Sequence, residues 1–425
     1  MRAKVDADLS RLLTRLGTNF IQQILSADFK TMDKTNDLSG AFDFDTPVER
    51  RGTASAKWDK YKDRDIIPLW VADMDFVSPP PVIEALQQRI SHGVFGYSQA
   101  PQSLTETLQH TMLNRYGWQI RSEWIVWLPG VVTGLNVTCR AVGRDRDAVL
   151  TTVPVYPPFL SAPDHSRRQL IKVPLVQDAG RWAIDFEQLE AAITPQTRLF
   201  ILCHPHNPVG RVFSAAELTQ VLEICLRHNI IICSDEIHCD LILDPDKTHL
   251  PFANLGPEAA GQTITLMAPS KTYNLPGLGC SLAIISEPRL RRRFKAAMAG
   301  IVPHVNALGL VAAQAAYRHG EPWHAALLEY LRGNRDRVMH AVRQMPGLSM
   351  THVEATYLAW IDARSRGLDN PARFFETAGV GLSDGTDFDG PGFVRLNFGC
   401  PRDLLDEALA RMKNALDNPG HAKFG

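Results

Sequence analysis

Three short apolar runs in the middle of the chain constrain its fold more than any other feature. They are Arg198–Cys203 (RLFILC), Asn229–Cys233 (NIIIC) and Thr263–Met267 (TITLM). Each has strand length and gives way to a polar cluster. Between the first two, Ser214 with Glu217 three residues on makes a capping-box signature, which predicts a helix running to about His228. Strands separated by helices imply βαβ units and a buried, mostly parallel sheet. In such a sheet ligands bind beyond the carboxyl ends of the strands, so the residues there carry the functional argument.

The first end carries His204-Pro205-His206-Asn207-Pro208-Val209-Gly210, the second Asp235-Glu236-Ile237-His238, the third Ala268-Pro269-Ser270-Lys271-Thr272-Tyr273-Asn274. The separations between Asn207, Asp235 and Lys271 each allow one crossover unit. An amide, a carboxylate and a lysine then face one crevice. Taken singly, the Asp reads as a turn or cap residue, Asn-Pro as a turn initiator and the Lys as solvated. Taken together, they suit one chemistry. A lysine amine forms a Schiff base with pyridoxal phosphate. A carboxylate beside the pyridine nitrogen keeps it protonated, and an amide holds the ring oxygen.

Composition excludes several other classes. The chain has 425 residues, a size for two domains or one large domain with a satellite. Lys+Arg number 45 and Asp+Glu 46, so no excess of positive charge is available for nucleic acid. No apolar run approaches the ~20 residues that span a bilayer, and Asp6, Asp8, Arg11 and Arg15 interrupt any signal-peptide core. Seven cysteines without a C-x-x-C pair read as buried thiols in a reducing compartment, so a cytoplasmic protein is expected. Residues 7–25 have the apolar spacing of an amphipathic helix. Ser78-Pro79-Pro80-Pro81 reads as a joint, with a helix over Val82–Ile90 directly after it. His204 and His206 read as turn residues rather than a metal pair, and the basic cluster Arg289–Arg293 with Lys295 as a solvated helix face.

H-N-P-x-G at 206–210, S-D-E-I-H at 234–238, S-K-T-Y-N-L-P-G-L at 270–278 and F-V-R-L-N-F at 393–398 resemble the fold type I, class I/II aminotransferase superfamily. Arg51–Asp59, Pro68–Phe76, Gly96-Tyr97-Ser98 and Tyr357–Asp362 narrow the resemblance to the cystathionine β-lyase-like C–S lyases of the MalY/PatB type. It covers about residues 42–415. It implies an α/β fold: a large domain with a mostly parallel sheet flanked by helices, and a smaller α+β domain. The expected bounds are 1–41 for an N-terminal extension and 80–320 for the large cofactor domain. Residues 42–79 and 321–425 would together form the small domain.

The resemblance also implies roles, position by position. Lys271 matches the Schiff-base lysine, Asp235 the pyridine-nitrogen partner and Asn207 the residue on the ring hydroxyl. Tyr156 matches the aromatic stacked on the ring, and His238 stands where many aminotransferases have a tyrosine. Gly130, Val131 and Val132 match the phosphate turn; physically this is a Gly-rich entry into a helix whose free N–H groups favour an anion. Ser270 is expected on the phosphate as well. Tyr97 matches a catalytic-site tyrosine that reaches the phosphate of the neighbouring subunit, which implies a homodimer with a shared site. Arg395 matches the arginine on the substrate α-carboxylate, and Tyr357 is expected near the substrate. Two positions depart from the pattern. Ala268 and Gly279 stand where many aminotransferases have a phosphate-binding Ser and Arg. The implied activity is β-elimination from L-cystathionine or a related L-cysteine S-conjugate. Transamination of an L-amino acid with a 2-oxo acid is the alternative, and a regulatory protein of this fold a third.

Overall fold

A computed structural model describes residues 42–418. The helix expected over 7–25 lies outside these residues. In chain order the strands are β1 (Ile67–Pro68), β2 (Ile125–Leu128), β3 (Ala148–Val153), β4 (Gln169–Pro174), β5 (Val176–Asp178), β6 (Arg181–Ala183), β7 (Thr197–Cys203) and β8 (Ile231–Asp235). After them come β9 (Thr263–Met267), β10 (Ser281–Ile284), β11 (Ser349–Met350), β12 (Leu358–Asp362), β13 (Val380–Gly381), β14 (Ser383–Asp384) and β15 (Phe393–Asn397).

Seven of them form one sheet in the order β2-β10-β9-β8-β7-β3-β4. All pairings in it are parallel except those of β10, which runs antiparallel to both β2 and β9. The three apolar runs occupy its centre as expected, with one shift. The second run starts at Ile231, because Asn229 adopts φ 54° and turns the chain out of the preceding helix. That helix, Ala215–Arg227, carries the full capping box: Ser214 Oγ accepts from Glu217 N and Glu217 Oε2 from Ser214 N. The helix expected after the proline joint spans Pro80–Ser91.

Register levels the strand ends. Cys203 pairs with Asp235 and Asp235 with Leu266. His204 N donates to Asp235 O at 2.9 Å and Glu236 N to Leu266 O at 2.8 Å. Each polar cluster therefore leaves the sheet at the same edge. Helices cover both faces. The helix Val131–Ala141, through Leu135, packs with Leu266, Ile264, Leu290 and Phe294 on one side, while Leu218, Val221, Phe200 and Phe252 fill the other. Side chains of this size contribute roughly 1.5–3 kcal/mol each when fully buried. Gly134 lets the first helix approach the sheet: a Cβ there would stand 2.8 Å from Leu266 Cδ2.

A second sheet, β11-β12-β15-β14, is antiparallel throughout and places Trp360 opposite Arg395. Trp360 stacks on Phe393 with centroids 5.0 Å apart and shares an apolar cluster with Phe388, Trp182 and Phe200 of the large sheet. β1 pairs with β13 in parallel, so chain from near residue 70 lies beside chain from near residue 380.

Candidate active site

The carboxyl ends of β7, β8 and β9 open onto a cavity of about 220 Å³ whose wall includes Asn207, Asp235, His238, Ser270 and Lys271. Asp235 ends β8, is 3% exposed, and accepts from Ile237 N at 3.1 Å. Burial raises its pKa to about 7, and neighbouring Glu236 adds to the rise. Lys271 sits in a tight turn after β9, and its Nζ donates to Ala72 O at 2.6 Å. Burial lowers its pKa to about 8; Arg395 lowers it further, while Asp73 and Asp235 oppose.

Asn207 leaves β7 in the proline-bounded loop, and its Oδ1 accepts from Arg395 Nη1 at 3.1 Å. Arg395 lies on β15 of the second sheet, 3% exposed. Its Nη2 donates to Trp70 O at 2.8 Å, its plane covers Phe388, and its Nε has no partner among the described residues. Burial brings its pKa down to about 10. Tyr156 precedes the helix Pro157–His165 and lines the same cavity. His238 is buried edge-on to Tyr357, with Nδ1 unpartnered among the described residues. Burial lowers its pKa to about 3, with Lys271 and Arg395 adding to the shift, so the imidazole is neutral at physiological pH.

Gly130, Val131, Val132 and Thr133 form the opposite wall, at the start of the helix Val131–Ala141. The first N–H groups of a helix lack intrahelical partners and favour an anion. Open space surrounds the position of a Cβ on Gly130, so a ligand can approach the backbone there. Gly279 also lines this wall. Its φ is +58°, and a Cβ would meet Pro129 O at 3.2 Å, so an arginine does not suit this position. That accounts physically for one of the two departures noted in the sequence.

Two expected site residues lie elsewhere. Tyr97 is fully exposed, outside this chain's cavity. Tyr357 stands one layer back from the cavity, fully buried, with its hydroxyl donating to Ala72 O at 2.9 Å; it supports the wall instead of forming it. Sequence reasoning picked out Pro68–Phe76 as a motif but missed how this segment supports the site. Residues 70–75 cross the site as a strap whose carbonyls serve the chemistry: Trp70 O holds Arg395, and Ala72 O holds Lys271. Asn397 Nδ2 donates to Val71 O and Asp73 O, and Asn274 bonds Met74 and Phe76. A buried ion cluster anchors the far end, with Lys57 on Asp75 at 2.7 Å and Arg50 on both Asp73 and Asp75. The signal for this role is backbone carbonyls, which side-chain identity does not reveal.

A sheet of this order, with lysine, carboxylate and amide at its carboxyl edge, defines a fold type I pyridoxal phosphate enzyme. The model of the family described as aminotransferase class I and II matches residues 64–412, and the chain belongs to that family. It is 39% identical over 385 residues to cystathionine beta-lyase PatB of Bacillus subtilis, covering 88% of this chain and 99% of that one. Among solved structures it is similar to OvoB, with TM-score 0.87 and 49% identity over 88% of this chain and 99% of the other. Cystalysin of Treponema denticola, whose crystal structure contains a pyridoxal 5'-phosphate cofactor, gives TM-score 0.86 and 32% identity, over 89% and 99% of the two chains.

Proposed function

We propose that the chain is a pyridoxal 5'-phosphate-dependent carbon–sulfur β-lyase. It acts on L-cystathionine or a related L-cysteine S-conjugate and, with water, yields a thiol, pyruvate and ammonia. One observation carries this reading: Lys271, Asp235 and Asn207 converge on a single cavity beyond the strand ends. The lyase relatives weigh against transamination.

The donor set fits the cofactor. An amine, a buried carboxylate, an amide, an aromatic face and a helix N-terminus all border the cavity, and His238 Nδ1 is buried without a partner among the described residues. The bound cofactor supplies an electron sink for a carbanion at the substrate Cα. Lys271 would tether it, and the Lys271 amine would take the Cα proton of the bound substrate. A pKa brought down to about 8 leaves about a fifth of the amine neutral near physiological pH, against almost none for an ordinary lysine, as a base requires. Asp235 would hold the proton on the ring nitrogen; a cation opposite it would favour the ionised carboxylate and counter burial. Asn207 has its oxygen on Arg395 and keeps its amide N–H groups for the ring oxygen. Tyr156 would pack on the ring, His238 would border it as a neutral imidazole, and Val131 and Val132 with Ser270 would hold the phosphate. Arg395 grips the substrate α-carboxylate with a planar guanidinium already fixed by Trp70 O. Loss of the Cα proton to Lys271 is followed by cleavage of Cβ–S, the electron pair leaving on sulfur.

The test is product formation from L-cystathionine. Pyruvate and thiol released without any 2-oxo acid support the reading. Amino-group transfer seen only when a 2-oxo acid is added overturns it in favour of an aminotransferase.

The same reading makes the protein a cytoplasmic homodimer. Ile83, Ile90, Val94, Phe95 and Tyr97 expose apolar surface along one stretch of chain, and a second copy is the natural cover. Tyr97 then completes the partner's phosphate site. Residues 80–320 form the cofactor domain, 42–79 with 321–425 the smaller domain, and 1–41 an extension. Among the described residues no helix is long and apolar enough to cross a membrane.

A further inference from the structure

A buried charge that the chemistry above does not use lies next to the Lys271 turn. Asp240 stands two residues after His238, in the loop that follows β8, with its side chain 6% exposed. Oδ1 accepts from Arg115 Nη1 at 2.8 Å and from the Tyr116 hydroxyl, and Oδ2 accepts from Thr272 Oγ1 at 3.1 Å. The Asp240 backbone carbonyl accepts from His324 Nε2 at 2.7 Å. Arg115, near the end of the helix Gln102–Tyr116, donates through Nη2 to the Tyr273 hydroxyl at 2.8 Å and to Glu321.

Thr272 and Tyr273 are the two residues directly after Lys271. Ser270 and Lys271 line the cofactor cavity; Thr272 and Tyr273 do not line it and are fully buried. The turn closes on itself, with Tyr273 N on Pro269 O at 3.0 Å and Leu275 N on Ser270 O at 2.9 Å. Asn274, the next residue, holds the strap. The lysine turn is therefore gripped twice, by the strap and by the Asp240–Arg115 pair.

Stability alone does not call for an ion pair at such a place. Burial costs both groups their hydration, and well-packed apolar residues in place of a buried pair are often neutral or stabilising. What the pair supplies is direction, since each charge is satisfied only by partners at fixed positions. Burial by itself raises the Asp240 pKa, yet Arg115 and His324 bring it down to about 2, so the carboxylate stays charged at physiological pH.

We propose that Asp240 and Arg115 are positioning residues for Lys271: through Thr272 Oγ1 and the Tyr273 hydroxyl they set the direction from which its amine meets the cofactor aldehyde and the substrate Cα. Because Asp240 follows His238 so closely, the same pair keeps the lysine turn in step with the wall that His238 forms. The inference rests on the reading of Lys271 as tether and base. A misplacement of about 1 Å at a reacting group costs up to ~10²-fold in rate.

The test removes the two contacts and leaves the ion pair. In Thr272→Val/Tyr273→Phe both hydroxyls are lost, while Asp240 keeps Arg115 and Tyr116. Protein stripped of cofactor is mixed with pyridoxal phosphate, and capture, in which the amine replaces the aldehyde oxygen and water leaves, is followed by absorbance. Capture slows by about 10-fold in the double variant. With L-cystathionine, kcat per bound cofactor falls by a similar factor while KM stays within about twofold, because Arg395 remains on Trp70 O. Thr272→Val alone is slowed, and Thr272→Ser, which keeps the hydroxyl, captures at the parental rate. A merely structural role lowers the melting temperature of the double variant and leaves capture and kcat per bound cofactor parental; that result overturns the inference, as does a Thr272→Ser variant as slow as Thr272→Val. A parent protein that captures no cofactor marks the reading of Lys271 itself as wrong, whereas a parent that captures cofactor but releases no pyruvate overturns the lyase and leaves the capture comparison to decide the positioning.

Discussion

At Lys271 and Asp235, burial moves two pKa values toward neutrality from opposite sides. The amine must be neutral to attack an aldehyde. Cofactor capture by protein stripped of it therefore speeds up as pH rises toward about 8 and levels off above, measured as the absorbance change on mixing. Lys271→Ala loses turnover by at least about 10²-fold while the chain remains folded, and near-parental activity in that variant places the base elsewhere. For Asp235 the sign of the stability effect follows from its raised pKa. The folded chain keeps a proton that the unfolded chain releases above 3.8, so the stripped protein loses stability as pH climbs from there to about 7. Asp235→Asn removes that slope, which thermal melts across the window detect, while turnover collapses for want of a charge on the ring nitrogen.

Elements convert these residues into a site, and two of them are tested by small changes. Gly134→Val drives a side chain into Leu266 and Leu128 and lifts the cradle helix from the sheet. The expected cost is about 1–3 kcal/mol, with weaker cofactor binding, read by melting temperature and cofactor titration. Asn274→Ala removes the bonds to Met74 N, Met74 O and Phe76 O that hold the strap. A raised KM with a smaller change in kcat is expected, since the strap orients Arg395 through Trp70 O. The central strands, the capped helix and the three strand-end clusters were legible in the sequence, because periodicity and cap chemistry are local. The start of β8 was misread by two residues, because Asn229 in a left-handed turn looks like the first residue of an apolar run. The strap was not legible, because its work is done by carbonyls of Trp70 and Ala72 against residues some 200 or more positions away. Tyr357 was assigned to substrate for the same reason: nothing local distinguishes a wall residue from one supporting it.

At the scale of the whole molecule, the surface around Val94, Phe95 and Tyr97 bears on assembly. Light scattering is expected to give twice the chain mass, and Tyr97→Ala to weaken cofactor retention even though Tyr97 lies outside its own chain's cavity. Retention unchanged in that variant argues against a shared site.

The strap also has a consequence for how the protein is made. Trp70 must wait for Arg395, its partner 325 residues downstream, and Ile67 for Val380. At translation rates of ~5–20 residues per second, that wait lasts roughly a quarter of a minute to a minute. Only for the last 124 residues of this interval, about 6–25 s, are the β7, β8 and β9 ends and Lys271 already synthesised while the segment that closes over them still lacks Arg395 and Asn397. The nascent chain therefore acquires its reactive lysine before the strap that covers it is fully seated, and the segment near residue 70 is the stretch a chaperone would have longest to hold and a protease longest to find.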